Sequence, residues 1–164
     1  LVGRFASQSN RRRPLHHWLV LLQSTNVVER DDAAAAVREI GTNAVPTLTT
    51  WIVHQDSEAE KWLREWLVRT RFFTRDRFSE NYYRSKALCG FRVLGTNEQS
   101  ALPELRRFLA DPVLSGGPML SHAAAALVWV APSEAENLAD KWTEDTNSLV
   151  KLRGIRLKSE LSLR

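Results

Sequence analysis

The sequence predicts an all-α protein in which antiparallel helical hairpins stack into an α-solenoid. The first observation behind this prediction is a gap-free internal repeat: residues 33–43 align with residues 87–97, and both copies end in Gly-Thr-Asn. The second is the order of residue types, since each copy places a small residue first, a bulky apolar residue four positions later and an aliphatic residue seven positions later. That spacing puts the apolar side chains on one helical face. Repeated units that cannot bury such a face alone are typical of stacked arrays.

Each copy continues into a turn and a second helix. Gly41 and Gly95 follow the last periodic residue, where a left-handed C-terminal cap favours a residue without a Cβ. Pro46 and Pro103 fall in the first turn of the next predicted helix, where a missing N–H breaks no hydrogen bond. The apolar residues that the second helices should bury are Val45, Leu48, Trp51 and Ile52 in the first copy and Leu102, Leu105, Phe108 and Leu109 in the second.

A third copy, at residues 123–132, keeps the small and apolar positions but has lost the turn. Pro132 stands where a glycine would be expected, and Ser133 should act as the N-cap of the helix that follows. Terminal repeats of stacked arrays are usually atypical. Residues 119–145 should therefore form a decayed capping repeat.

These motifs resemble those of the HEAT-repeat family, in the form found in bacterial HEAT-repeat proteins. The matching features are the Ala-rich first helices, the turns at Ile40-Gly41 and Leu94-Gly95, and the Ala-Val-Pro and Ala-Leu-Pro starts of the second helices. The resemblance implies a right-handed superhelical stack whose second helices line a concave groove. It also implies a lead-in helix before the first repeat. It implies an architecture and not a chemistry, because proteins of one fold carry out unrelated functions.

The predicted organisation is a single domain that spans residues 1–164. Its parts are a lead-in helix at 14–24, a repeat at 30–55, an insertion at 56–83, a repeat at 84–110, the capping repeat at 119–145 and a C-terminal segment at 146–164. The family resemblance covers the two repeats well and the capping repeat loosely. The insertion is inferred because Gly41 and Gly95 lie further apart than the roughly 40–47 residues usual for this architecture.

Composition limits the classes of protein to consider. The 164 residues carry a formal net charge of +4, with basic stretches at 1–17, 61–86 and 151–164. No apolar run approaches the roughly 18 residues of a membrane span, and a soluble, cytoplasmic protein is favoured over an exported one. The single cysteine, Cys89, excludes an internal disulfide framework and a cysteine-rich zinc site. Its apolar neighbours favour a packing role over a nucleophilic one.

The sequence contains no Gly-x-Ser-x-Gly elbow, phosphate loop, His-Glu-x-x-His motif or dinucleotide fingerprint. The adjacent His16 and His17 point about 100° apart on a helix and do not easily share a metal. Asp31 and Asp32 precede the Ala-rich segment, where capping and compensation of the helix dipole account for them. We therefore predict a protein that is not an enzyme and has no catalytic, cofactor-binding or metal-binding residues. A HEAT-like lyase that attaches pigments is an alternative based on fold analogy alone.

The basic stretch 61–86 interleaves cations with aromatic side chains. The arginines expected to contact a partner are Arg64, Arg69, Arg71, Arg75 and Arg77. One interpretation is that they hold nucleic-acid phosphates while the aromatic rings stack on bases, as in HEAT-like proteins that bind DNA. The favoured interpretation is that the aromatics fill the core while the arginines are solvated. It rests on Trp62, Leu63, Trp66 and Leu67, whose spacing gives a core-facing helical stripe.

By the family resemblance, the polar faces of the second helices should line the groove. These candidate residues are Thr47, Thr50, His54, Glu104, Arg106 and Arg107. Plain solvated faces explain the same residues equally well. The predicted function is a non-catalytic protein–protein interaction or scaffold module, which binds a protein or peptide through the groove and the basic aromatic insertion. The alternative is a nucleic-acid-binding solenoid that uses residues 61–86, and neither function requires a cofactor.

Overall fold

The computed structural model describes residues 13–54, 58, 61–62, 66, 80–110 and 118–164. All regular secondary structure in this part of the chain is helical, and the protein is all-α. The α-helices with described bounds are α1 (Leu15–Leu21), α2 (Val27–Ile40), α3 (Val45–Ile52), α4 (Glu80–Leu94), α5 (Leu102–Ala110), α6 (Pro118–Val130), α7 (Pro132–Thr143) and α8 (Ser148–Ser162). Short 3-10 helices lead into α3 at Gly41–Ala44 and into α5 at Gly95–Asn97 and Gln99–Ala101. Glu58, Lys61, Trp62 and Trp66 are also helical.

The two turns that the repeat predicts are present. Gly41 and Gly95 have positive φ angles of 53° and 62°, which a side chain would disfavour. Pro46 lies in the first turn of α3, as predicted. The predicted N-cap of the third copy is wrong, because α7 begins at Pro132 with Ala131 as its N-cap and Ser133 lies inside the helix. Proline fits this position because its fixed φ already suits the first helical residue.

Asparagine side chains cap two helices that the sequence did not delimit correctly. The Asn26 side chain accepts a hydrogen bond from the Val28 N–H at 3.0 Å, so α2 begins earlier than the Ala-rich stretch. Asp31 and Asp32 consequently lie within α2 and not at its cap, which corrects the sequence interpretation. The Asn147 side chain accepts a hydrogen bond from the Leu149 N–H at 2.9 Å, and the C-terminal segment is a long helix, α8.

The first helices of the three sequence copies, α2, α4 and α6, contact one another in series. Each second helix packs closely on the first helix of the following copy, α3 on α4 and α5 on α6. The lead-in helix α1 packs on α2 and α4. The most extensive helix contact joins α7 to α8, and α8 also reaches α6.

The buried residues of the described part of the chain form two hydrophobic clusters, and α6 belongs to both. Its Ala123, Ala126 and Val130 join the larger cluster, which includes residues of α1 to α5. The side chains that α6 gives to the smaller cluster with α7 and α8 are Ala124, Leu127 and Val128. A helix that is apolar all round is expected to be buried on several faces. The Ala-rich composition of α6 therefore matches its central position.

Candidate functional site

An open depression lies where α3 and the turn before it face the beginning of α5, and its volume is about 410 Å³. Its lining residues are Thr42, Val45, Pro46, Thr49, Thr50, Ser100 and Glu104. We call it the inter-repeat depression, because both sequence copies contribute to it. It brings together two of the predicted groove residues, Thr50 and Glu104.

Hydrogen bonds to nearby backbone carbonyls orient the threonine hydroxyl groups of the depression. The Thr50 hydroxyl donates to the Pro46 carbonyl at 2.8 Å, and the buried Thr49 hydroxyl donates to the Val45 carbonyl at 3.0 Å. A hydroxyl whose hydrogen is committed in this way still has oxygen lone pairs that accept. On the opposite wall, the Ser100 hydroxyl donates to the carboxylate of the buried Glu98.

The chemistry offered by the inter-repeat depression is mainly that of hydrogen-bond acceptors on an apolar base. Glu104 is exposed and lies in the first turn of α5, where the helix dipole favours a negative charge. Val45 and Pro46 supply apolar surface. Among the described residues that line it, there is no histidine, cysteine, lysine or arginine. The surface is suited to N–H donors or a cationic group and is not suited to phosphate.

Other predicted groove residues lie elsewhere. Thr47 is half-buried on α3 and does not line the depression. His54 follows α3, where its ring lies 4.9 Å from that of Tyr83, centroid to centroid, and its carbonyl accepts a hydrogen bond from Arg84 at 2.8 Å. His54 therefore belongs to the junction between α3 and α4.

The two predicted groove arginines of α5 are not among the residues that line the depression. Arg106 pairs with Glu134 of α7 through two hydrogen bonds, the Nε one at 2.9 Å. This hydrogen bond lowers the pKa of the Glu134 carboxyl and raises that of the guanidinium. The Arg107 guanidinium lies 6.0 Å from the centre of the Phe108 ring. Arg106 thus links α5 to α7, and neither arginine lines the inter-repeat depression.

The five predicted insertion arginines, Arg64, Arg69, Arg71, Arg75 and Arg77, lie outside the described residues. Two tryptophans of the same segment are described, and they contradict the core-facing stripe: Trp62 is 66% exposed and Trp66 is 50% exposed. Both tryptophan side chains therefore meet solvent. Large exposed aromatic side chains are typical of binding surfaces.

Two cations counted in the basic stretch are buried. Arg84 is 1% exposed and donates to a backbone carbonyl, as described above. Lys86 is 5% exposed, and its Nζ donates to the Gln23 side-chain carbonyl at 2.5 Å. Burial lowers the pKa of this lysine. Neither side chain is available to a phosphate backbone, so the basic surface of this segment is smaller than its sequence suggests.

Sequence reasoning missed Ser100 and Glu98. They belong to the three-residue insertion by which the second copy departs from the first, just after its Gly-Thr-Asn turn. An insertion at a repeat turn usually marks a loop on one face, often a binding face. The three-residue insertion was therefore the sequence feature that could have indicated this wall of the depression.

Within the described residues, no group of histidine, cysteine and carboxylate side chains is arranged to hold a metal ion. Among the same residues, no helix has the length and apolar character needed to cross a membrane. Comparison of the chain with protein-family models, curated protein sequences and solved structures found no match.

Proposed function

We propose that this chain is a non-catalytic HEAT-like repeat module that binds an extended polypeptide segment in the inter-repeat depression. The serial contact of α2, α4 and α6 supports the stacked arrangement, which we propose as a right-handed solenoid. The observation that carries the function is the depression itself, because it joins hydroxyl and carboxylate acceptors of both copies on an apolar base.

The partner is proposed to be a segment that presents backbone N–H groups or a basic side chain. Glu104 would accept from the cation, while Thr50 and Ser100 would accept from peptide N–H groups. The exposed Trp62 and Trp66 provide a second surface that a longer partner could reach. A nucleic acid is the less favoured ligand, because the depression has a carboxylate and no cation in its lining.

The test is selection from a displayed library of random peptides, followed by binding titrations of the selected peptides. Thr50→Arg and Glu104→Lys, which fill the depression and reverse its charge, should each weaken binding at least about tenfold. Arg107→Glu is the matched control, since it reverses a charge on the same helix outside the depression. Its binding should equal that of the native chain.

Two outcomes would contradict the proposal. One is that both depression variants bind the selected peptides as tightly as the native chain. The other is tight binding of DNA or RNA oligonucleotides at about 50 mM salt, where phosphate contacts are strong, with no effect of Thr50→Arg or Glu104→Lys. That second result would indicate nucleic-acid binding by the basic aromatic insertion.

A further inference from the structure

The last helix, α8, exposes an apolar stripe. Leu149, Leu152 and Ile155 succeed one another at intervals of three residues and are 64%, 61% and 53% exposed. Side chains three apart share one face of a helix. The opposite face is anchored through Leu157 in the smaller core cluster and through Gly154, which packs against the backbone of α7. An apolar stripe held on a fixed helix marks an interaction surface.

Basic side chains border this stripe. Lys151 and Arg156 are exposed beside it. The Arg156 Nε lies 3.5 Å from a Glu160 carboxylate oxygen, a long and exposed contact that leaves donors for another acid. Lys158, in contrast, forms an ion pair with Asp140 of α7, with 2.8 Å between Nζ and Oδ1. The charge beside the stripe is therefore positive.

A complementary surface lies at the start of α2. Val27 and Val28 are 55% and 68% exposed. Three exposed carboxylates, Glu29, Asp31 and Asp32, lie in the same stretch, together with one exposed arginine, Arg30. Asp31 and Asp32 lie three and four residues after Val28 and so share its helical face. This surface is apolar with an acidic border.

The two surfaces lie at opposite ends of the helix series. In the described part of the chain, α2 packs mainly on α1 and α4, whereas α8 packs on α6 and α7. The α2 end belongs to the larger core cluster and the α8 end to the smaller one. One copy can therefore offer its basic end while another offers its acidic end.

We propose that the α8 stripe of one copy docks on the α2 surface of a second copy, in a head-to-tail association. This contact covers apolar side chains on both partners and places Lys151 and Arg156 beside Asp31 and Asp32. A two-fold contact between α8 helices would instead bring like charges together. The surfaces are small, so the association is weak and depends on concentration. A head-to-tail contact also permits assemblies longer than dimers.

Sedimentation equilibrium tests the association. At low salt and concentrations up to about 500 µM, the mass should rise above the 18.7 kDa of one chain. Leu152→Glu should weaken association at least about tenfold, and Ile155→Ser is a second variant if the first lowers the melting temperature. Arg107→Glu, away from both surfaces, should associate as the native chain does. A native chain that stays at one chain's mass over this range would overturn the proposal.

Charge exchange tests the pairing of the two ends. Lys151→Glu/Arg156→Glu and Asp31→Lys/Asp32→Lys should each lower self-association at least about tenfold, and a mixture of the two double variants should associate again. If Asp31→Lys/Asp32→Lys leaves self-association unchanged, the α2 surface takes no part in the contact and the head-to-tail proposal is wrong.

An anionic lipid surface is the alternative ligand for the α8 stripe, because that helix face is apolar with basic side chains beside it. Sedimentation with vesicles of phosphatidylcholine and phosphatidylserine distinguishes it. Vesicle binding that disappears in Leu152→Glu, from a chain that does not self-associate, would overturn the proposal in favour of lipid binding. Absence of vesicle binding together with concentration-dependent mass supports the second copy.

Discussion

Gly154 allows α8 to approach α7 more closely than any other residue would. A Cβ at this position would lie 2.6 Å from the Thr143 backbone nitrogen and 2.9 Å from the Trp142 carbonyl carbon. Both obstructing atoms belong to the backbone of α7, and they cannot rotate away as the end of a flexible side chain can. Gly154→Ala must therefore separate the two helices.

The magnitude follows from two opposing effects. Ordinary contacts between such atoms are about 3.5–4 Å, so the helices must separate by roughly 1 Å. Overpacking of this kind costs about 1–3 kcal/mol, and the upper part of the range applies because backbone obstructs the methyl group. Alanine returns about 1 kcal/mol through its higher helix propensity. We expect a net loss of about 2 kcal/mol in the free energy of unfolding.

Thermal and urea unfolding followed by far-UV circular dichroism measure this loss. For a chain of this size, about 2 kcal/mol corresponds to a melting temperature lower by roughly 4–8 °C. Ser159→Ala is the matched control, because it adds alanine to an exposed position of the same helix and should be neutral or slightly stabilising. If Gly154→Ala is as stable as the native chain, the close approach of α7 and α8 is refuted.

Three further predictions concern stability. Gly41→Ala should lower the free energy of unfolding by about 2 kcal/mol because φ of 53° with ψ of −131° strains any side chain, and an unchanged urea midpoint would contradict this. Burial lowers the pKa of Lys86, so the unfolded chain holds this proton to higher pH and stability should rise as pH increases toward the ordinary 10.5. Urea titrations at several pH values in that range should show a smaller increase in the free energy of unfolding for Lys86→Met than for the native chain. The hydrogen bond from Arg106 lowers the pKa of Glu134, so its stabilisation should be present above the ordinary 4.5 and lost as pH falls through the lowered value. Glu134→Gln should remove that part of the acid-side pH dependence and leave the Lys86 effect unchanged.

The helical class and the repeat turns could be predicted because local chemistry determines them. A glycine at the end of a periodic apolar segment specifies a positive φ wherever the rest of the chain lies, and Gly41 and Gly95 both adopt it. The buried Leu48 and Leu105 follow from helical spacing in the same way. Helix starts do not follow from spacing, because Asn26 and Asn147 act as caps through single hydrogen bonds that many asparagines could form.

The candidate sites depended on information that spacing does not contain. The positions of Trp62 and Trp66 define one helical face, but only the neighbouring helices decide whether that face is covered. Arg84 and Lys86 show the converse. Their sequence suggests solvated cations, but both are buried and donate hydrogen bonds to partners that follow α3 and precede α2. The α8 stripe was missed because that helix carries apolar residues on both its buried and its exposed face, which weakens the periodic pattern.

The position of α6 in both core clusters has a consequence for how the chain unfolds. A fragment without α6 would leave both clusters open, since Ala126 is needed by one and Leu127 by the other. Loss of α7 and α8 would uncover the second side of a helix that is apolar all round. The two clusters should therefore lose hydrogen-exchange protection together, with a shared opening free energy in α6. We therefore expect the two clusters of the described residues to unfold as one cooperative unit.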